Sequence, residues 1–215
     1  MAQSSELYDA IVNGNAKKAY AATEVALAAG VAPMDLIQGS MVPAMEEVGK
    51  LFESEEYFVP ELLLAGRAMK SAMELLRPLL SASGQQMAYR AVIGTVKGDL
   101  HDIGKNIVAS MLEGAGFEVI DLGADVSPES FVAAIQERNP QVVCMSALLT
   151  VTMPAMKLTI DALKTAGVRT QVKVMIGGAP VTQQYADEIG ADGYSANANA
   201  AVAVARRLIG DMTNA

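Results

Sequence analysis

The sequence predicts a two-part α+β protein, in which a helical bundle precedes a doubly wound α/β domain built on a five-stranded parallel sheet. Three observations carry that reading. Apolar residues up to about residue 80 recur at helical spacing. After a small polar stretch, SASGQQ (81–86), the pattern changes to short runs rich in β-branched residues. Those runs alternate with helix-length segments, and strands this apolar belong in a parallel sheet covered on both faces. A chain of 215 residues has room for two such parts, with boundaries read at 1–82 and 88–215.

In order, Leu7, Ile11 and the alanine-rich AYAATEVALAA form a first helix, ended by Gly30 in the manner of a C-cap. Pro33 opens a short helix through Leu36 and Ile37. From Met41 the apolar positions Met41, Ala44, Met45, Val48, Leu51 and Phe52 mark one helical face. Pro60 suits a first helical position, and the face that follows is Leu62, Ala65, Met69, Met73, Leu76 and Leu80. Four helices with short connections predict an antiparallel four-helix bundle.

In the second part RAVIGTV (90–96), FEVIDLG (117–123), QVVCMSAL (141–148), VKVMIGGA (172–179) and DGYSA (192–196) read as strands. Helices are expected over Ile103–Glu113, Pro128–Arg138, Pro154–Ala166, Thr182–Ile189 and Asn199–Ile209. Ligands of such folds sit beyond the carboxyl ends of the strands, near the reversal of strand order. The loops VKGDLHDIGKN, Ser146–Met153, Gly177-Gly178 and Gly193-Tyr194 should open on that edge.

Composition narrows the classes of function. The net charge is −8 and the densest basic cluster is Lys17-Lys18, so a nucleic-acid partner is not expected. No apolar run approaches the roughly 18 residues of a spanning helix, and MAQSSELYD lacks a signal-peptide pattern. One cysteine, Cys144, lies in an apolar strand and fits an inert thiol in a reducing compartment, so a cytoplasmic protein is expected. The 13 methionines read first as flexible core filler, and otherwise as a soft surface for changing partners.

His101 is the only histidine. No G-x-G-x-x-G or G-x-x-x-x-G-K-[ST] pattern supports a nucleotide site, and no G-x-S-x-G elbow supports a hydrolase with Ser146. Zinc takes three or four ligands, mostly Cys and His, and the chain offers one of each on different strands. A single histidine suffices where a macrocycle fills the other positions of its metal. Such a ligand wants its second ring nitrogen fixed by a carboxylate, and Asp99 stands two residues earlier. On the residues alone, a helix-start histidine bonded to a neighbour remains an equal reading.

Asp99-Leu100-His101-Asp102-Ile103-Gly104 matches the D-x-H-x-x-G signature of cobalamin-binding proteins, followed in order by Ser146-Ala147-Leu148 for S-x-L and by Gly177-Gly178. MEEVGKLFESEEYFVPELLLAGRAM (45–69) looks like the cap segment of the methyl-transferring branch. Over nearly its whole length the chain resembles the small corrinoid proteins of methylamine, methanol and methoxy-aromatic metabolism, and the cobalamin module of methionine synthase. The resemblance implies a Rossmann-like (flavodoxin-like) cobalamin-binding domain under a bundle cap.

It also implies roles. His101 becomes the lower axial ligand of cobalt, Asp99 holds it, and Ser146 completes the relay. Gly98, Asp102, Ile103 and Gly104 meet the cofactor from the first loop. Leu148, Thr150, Gly177, Gly178 and Tyr194 border its nucleotide tail. Met45, Val48, Phe52 and Leu63 of the cap face the upper, methyl-bearing side. Two departures stand out: Glu55-Glu56 replace a usual glycine turn, and Ser195-Ala196-Asn197 replaces a frequent A-x-D. The implied function is a non-catalytic or co-catalytic carrier subunit cycling between Co(I) and methylcobalamin. It would be loaded by a substrate-specific methyltransferase and unloaded by a second one, onto tetrahydrofolate or a thiol such as coenzyme M. An ATP-dependent reductive activator is a further implied partner. Two alternatives share the signature: an adenosylcobalamin-dependent mutase subunit, which generally lacks such a cap, and a cobalamin sensor, for which no signalling domain is evident.

Overall fold

The computed structural model describes residues 5–82 and 89–213. The chain forms two compact units, one made of the N-terminal helices with Ser110–Phe117, the other of Tyr89–Ala109 with the residues from Glu118 onward. Most of SASGQQ, the expected linker, lies outside the described residues.

The helical unit runs α1 (Ser5–Val12), α2 (Ala16–Ala28), α3 (Pro33–Leu36), α4 (Val42–Glu53) and α5 (Val59–Ala82). The expected first helix is in fact two. Gly14 turns the chain at φ +65°, and Asn15 caps α2 by accepting the Lys18 N–H. An added Cβ on Gly14 would come within 2.5 Å of Leu64 Cβ, so this break is packed against α5. Between α3 and α4, Ile37–Met41 forms a π-helical turn, which fuses the two expected helices into one rod. Counted as rods, there are four. Glu61 accepts the Phe58 N–H at 2.9 Å and so caps the start of α5 from within its first turn. The core of this unit is Leu7, Ile11, Leu36, Ile37, Met41, Met45, Val48, Met69, Met73 and Leu76, all buried. Methionine here is packing material.

The second unit is a five-stranded parallel sheet in the order β2-β1-β3-β4-β5. Its strands are β1 (Tyr89–Thr95), β2 (Phe117–Asp121), β3 (Val142–Ser146), β4 (Lys173–Gly177) and β5 (Gly193–Ser195). The crossovers are α6 (Ile103–Gly114), α7 (Pro128–Arg138), α8 (Pro154–Thr165) and α9 (Gln183–Ile189), with α10 (Ala198–Thr213) closing the chain. Register is set by β1 against β3 from Ala91↔Val142 to Thr95↔Ser146, and by β3 against β4 from Val142↔Lys173 to Ser146↔Gly177. The strands are buried on both faces, as their apolar runs require. Gly94 in mid-strand leaves the space into which Phe131 of α7 fits, since a Cβ there would lie 2.8 Å from its ring. Asn197 of the departing Ser195-Ala196-Asn197 stretch caps α10, accepting the Ala200 N–H at 2.8 Å.

Strand order reverses between β1 and β3, the point at which sheets of this kind bind ligands. The histidine loop follows β1 and the Leu148–Met153 loop follows β3. The fold therefore places both at the position where such sheets bind ligands.

Candidate functional site

The loop from Val96 to Asp102 is held by hydrogen bonds around one carboxylate. Asp99 is fully buried. Its Oδ1 accepts the His101 backbone N–H at 3.0 Å and lies 2.8 Å from His101 Nδ1. Its Oδ2 accepts the Leu148 N–H at 2.8 Å, the Leu149 N–H at 3.4 Å and the Thr152 hydroxyl at 2.7 Å. Burial alone would raise the pKa of this carboxyl. The His101 N–H, Thr152 hydroxyl, Leu148 N–H and His101 ring outweigh it and hold the group far below the usual carboxylate range. Asp99 is thus an anion, and His101 Nδ1 must be the protonated nitrogen. The lone pair falls to Nε2, which has no partner among the described residues, on a side chain half exposed.

Of the residues singled out by sequence, Asp99 and His101 meet directly. The relay hydroxyl does not belong to Ser146. The Ser146 carbonyl accepts the Val96 N–H, and its side chain makes no bond to Asp99. Thr152 takes that place because a turn closed by Thr152 N–H to the Leu149 carbonyl brings it back over the carboxylate. Its hydroxyl also lies 2.8 Å from the Leu149 carbonyl, and the charged acceptor is the stronger claimant for its one proton.

Leu148 and Thr150 are exposed on the β3 loop, while Tyr194 is half-buried and packs on the sheet core. Gly178, at φ +130°, is required by the protein's own backbone: a Cβ there would meet the Ala147 carbonyl oxygen at 1.9 Å. Around Gly104 the space is open. Of the cap residues, Met45 and Val48 are spent in the bundle core, Phe52 is half-buried, and Leu63 is exposed.

Other polar groups brace the loop in ways the sequence did not signal. Lys105, 1% exposed, donates to Asp121 Oδ2 at 2.5 Å and to Asn106 Oδ1 at 2.6 Å. Asn106 Nδ2 in turn donates to Asp102 Oδ2 at 3.1 Å, next to the histidine. On the other side Asp125, at φ +55°, accepts the Gly98 N–H at 2.8 Å and Lys97 Nζ at 2.9 Å. A lysine at a helix start and an aspartate between Ala124 and Val126 read as surface charge in the sequence. Only the fold brings them to the loop.

The donor set decides what metal chemistry fits. Among the described residues no three His, Cys, Asp or Glu side chains gather as a metal group. A single oriented imidazole can serve only a metal that arrives with its remaining positions filled. Leu100, Ile103, Leu148, Leu149 and Val151, all exposed on the two loops, are suited to a broad apolar ring. The residues fit a corrin. Cys144 plays no part: burial pushes its thiol up to about 12. No described helix is long and apolar enough to cross a membrane.

Comparison with known proteins agrees. Residues 89–203 and, separately, residues 4–77 match families described as B12 binding domain. The chain is 50% identical over 182 residues to trimethylamine corrinoid protein 2 of Methanosarcina mazei, covering 84% of each chain. It is similar to a cobalamin-binding protein of Desulfitobacterium hafniense, with 36% identity, a TM-score of 0.76, and coverage of 97% and 99%. It also matches a chain of the methanol:cobalamin methyltransferase complex of Methanosarcina barkeri, with 30% identity, a TM-score of 0.85, and coverage of 95% and 78%.

Proposed function

The chain belongs to the B12-binding corrinoid proteins, and from that membership we propose that its methyl donor is a methylamine, with trimethylamine the first to test. The protein binds cobalamin and is a corrinoid methyl carrier of a methyltransferase system. The donor proposal rests on the 50% identity to a trimethylamine corrinoid protein. The site reading rests on one observation, the buried Asp99 carboxylate that fixes His101 with Nε2 outward.

Cobalamin, when bound, supplies a cobalt that can take up and release a methyl group. The chain's own residues would hold it through His101, whose Nε2 would supply the lone pair to cobalt, while Asp99 fixes the imidazole in one tautomer and one orientation. Thr152 and the Leu148 and Leu149 N–H groups hold Asp99 in turn, so the carboxylate cannot rotate away. The proton on Nδ1 lies between imidazole and carboxylate, 2.8 Å apart. Leu100, Ile103, Leu148 and Leu149, exposed and apolar, would give the corrin apolar contact and exclude water there.

We read residues 1–82 as the cap domain and 88–215 as the cofactor domain. A second methyltransferase would pass the group to a thiol or to tetrahydrofolate, and a reductive activator would restore the carrier after oxidation. In this reading the protein works in the cytoplasm.

Two measurements test it. Wild type mixed with hydroxocobalamin should take on the spectrum of histidine-ligated, base-off cofactor, and His101→Ala should bind without that signature. A wild type that stays colourless would end the cofactor reading, and an unchanged His101→Ala spectrum would end the ligand assignment. For the donor, the loaded protein is offered to a trimethylamine and to a methanol methyltransferase. Methylation only by the latter would refute the amine.

A further inference from the structure

We propose that Asp125 is a positioning residue for the axial ligand, acting on His101 through the backbone of Gly98 and Asp99; this deepens the cobalamin reading and rests on it. The loop after β2 lies along the loop after β1. Leu122 N–H donates to the Ile93 carbonyl, Thr95 N–H to Gly123, and Val126 N–H to Thr95, with Val96 and Val126 bridged. Asp125 stands at the end of this zipper and grips the histidine loop at three atoms. Its N–H donates to the Asp99 carbonyl at 2.9 Å. Its Oδ1 accepts the Gly98 N–H at 2.8 Å, and its Oδ2 accepts Lys97 Nζ at 2.9 Å.

Asp99 is thereby fixed on every side. Its N–H donates to the Val96 carbonyl and its carbonyl accepts from Asp125, while its carboxylate holds the imidazole. The direction of His101 depends on where the Asp99 backbone stands, and Asp125 sets it. Two further facts mark Asp125 out. It holds φ +55°, a conformation that costs most residues energy but that Asp tolerates. The Gly98 turn that it grips is itself left-handed, at φ +85°, so two uncommon conformers are locked face to face.

The test separates the carboxylate from the backbone shape. Asp125→Asn keeps both an acceptor for Gly98 and tolerance of positive φ. Asp125→Gly keeps only the shape, and Asp125→Ala keeps neither. Each full-length variant, with Lys97→Met as a control for the exposed ion pair, is titrated with hydroxocobalamin. Affinity and the fraction of histidine-ligated cofactor are read from absorbance, beside a thermal melt without cofactor. The expected result is near-wild-type behaviour for Asn and Lys97→Met. For Gly and Ala we expect a reduced histidine-ligated fraction and affinity weakened about tenfold, as for other supporting partners of metal-bound histidines. Gly guards against an Ala variant that fails to fold. A Gly variant with wild-type fraction and affinity would overturn the proposal, and so would an Asn variant as impaired as Ala. A colourless wild type would overturn the function with it; a coloured, histidine-ligated wild type beside an indifferent Gly variant would overturn this proposal alone.

Discussion

Two turns of this protein with exposed apolar residues in or beside them are built on opposite principles. The histidine loop after β1 is locked by polar bonds: the Asp99 carboxylate alone accepts five, and Asp125 and Lys105 brace the loop from either side. The turn between α4 and α5, Ser54–Phe58, exposes Phe58, with Val59, Leu63 and Leu64 exposed on the first turns of α5. Its backbone bonds return to its own helix ends, while the Tyr57 hydroxyl donates to the Val12 carbonyl. One region must hold a single atom in a single direction. The other holds no such atom, and its backbone bonds only close a turn. Rigidity is concentrated where ligation demands it, and substitutions should show that contrast.

The largest effect is expected at Asp99. Asp99→Leu takes the acceptor from the Leu148 N–H and the His101 N–H and leaves the Thr152 hydroxyl only the Leu149 carbonyl. Each donor left unpaired in a buried place costs about 1–3 kcal/mol. We expect a loss of about 3 kcal/mol in denaturant unfolding together with loss of the histidine-ligated spectrum. Retention of both would mean the loop is held by something else. Next comes Thr152→Val, at about 1–2 kcal/mol and a weakened histidine signature, since it removes a bond to a buried charge. Ser146→Ala, the substitution the sequence motif singles out, should stay within about 0.5 kcal/mol of wild type. The reverse ranking would return the relay to Ser146.

Lys105→Met ranks third. Replacing one member of a buried pair is costly when the other is left buried, but Asp121 is 40% exposed and water can take over its charge. A methionine also fills the lysine's volume. The expected loss is about 1 kcal/mol; a loss above about 3 kcal/mol would show that Asp121 is effectively enclosed. Cys144 gives a comparison within the sheet itself. With its thiol raised to about 12, the folded state keeps a proton that the unfolded chain loses from about pH 8.5 upward. Stability should therefore fall as pH rises from about 8.5 towards 12, and Cys144→Ala should flatten that slope. Alkylation of Cys144 at pH 8 should follow unfolding and no faster process.

What the sequence made legible follows the same division. Strands of the parallel sheet stand out because burial on both faces demands unbroken runs such as VVCMS, and Pro128 and Pro154 mark their helix starts. Asp99 and His101 could be paired because two residues of separation already brings them within reach. Thr152 could not, because it reaches Asp99 only through a turn 53 positions along the chain. Asp125 and Lys105 were hidden for a related reason: what they grip lies on another strand or loop. In the bundle, the alanine-rich run concealed the break at Gly14, since alanine favours helix on both sides of it. The π turn at Ile37–Met41 left no mark, its residues being ordinary helix formers apart from Gly39.

The smallest expected effect, at Glu55, is the cleanest test that the α4–α5 turn is built independently. Glu55 occupies φ +61°, the left-handed conformation for which a glycine would be the usual choice. The turn is closed by Glu55 N–H to the Phe52 carbonyl and by Glu56 and Tyr57 N–H to that of Leu51. None of these bonds uses the Glu55 side chain, which is exposed. Left-handed backbone costs a side-chain-bearing residue about 1–2 kcal/mol. Glycine removes that cost but adds about 0.5–1 kcal/mol of lost freedom on folding. The strain term is the larger, so Glu55→Gly should stabilise the protein by about 0.5 kcal/mol, a rise of about 1–2 °C in Tm for a chain of this length. The cobalamin spectrum should not change, because nothing in the histidine loop depends on this residue. A fall in Tm would show that the glutamate side chain is needed where no bond to it is seen. An altered spectrum would break the contrast between the two turns at its root.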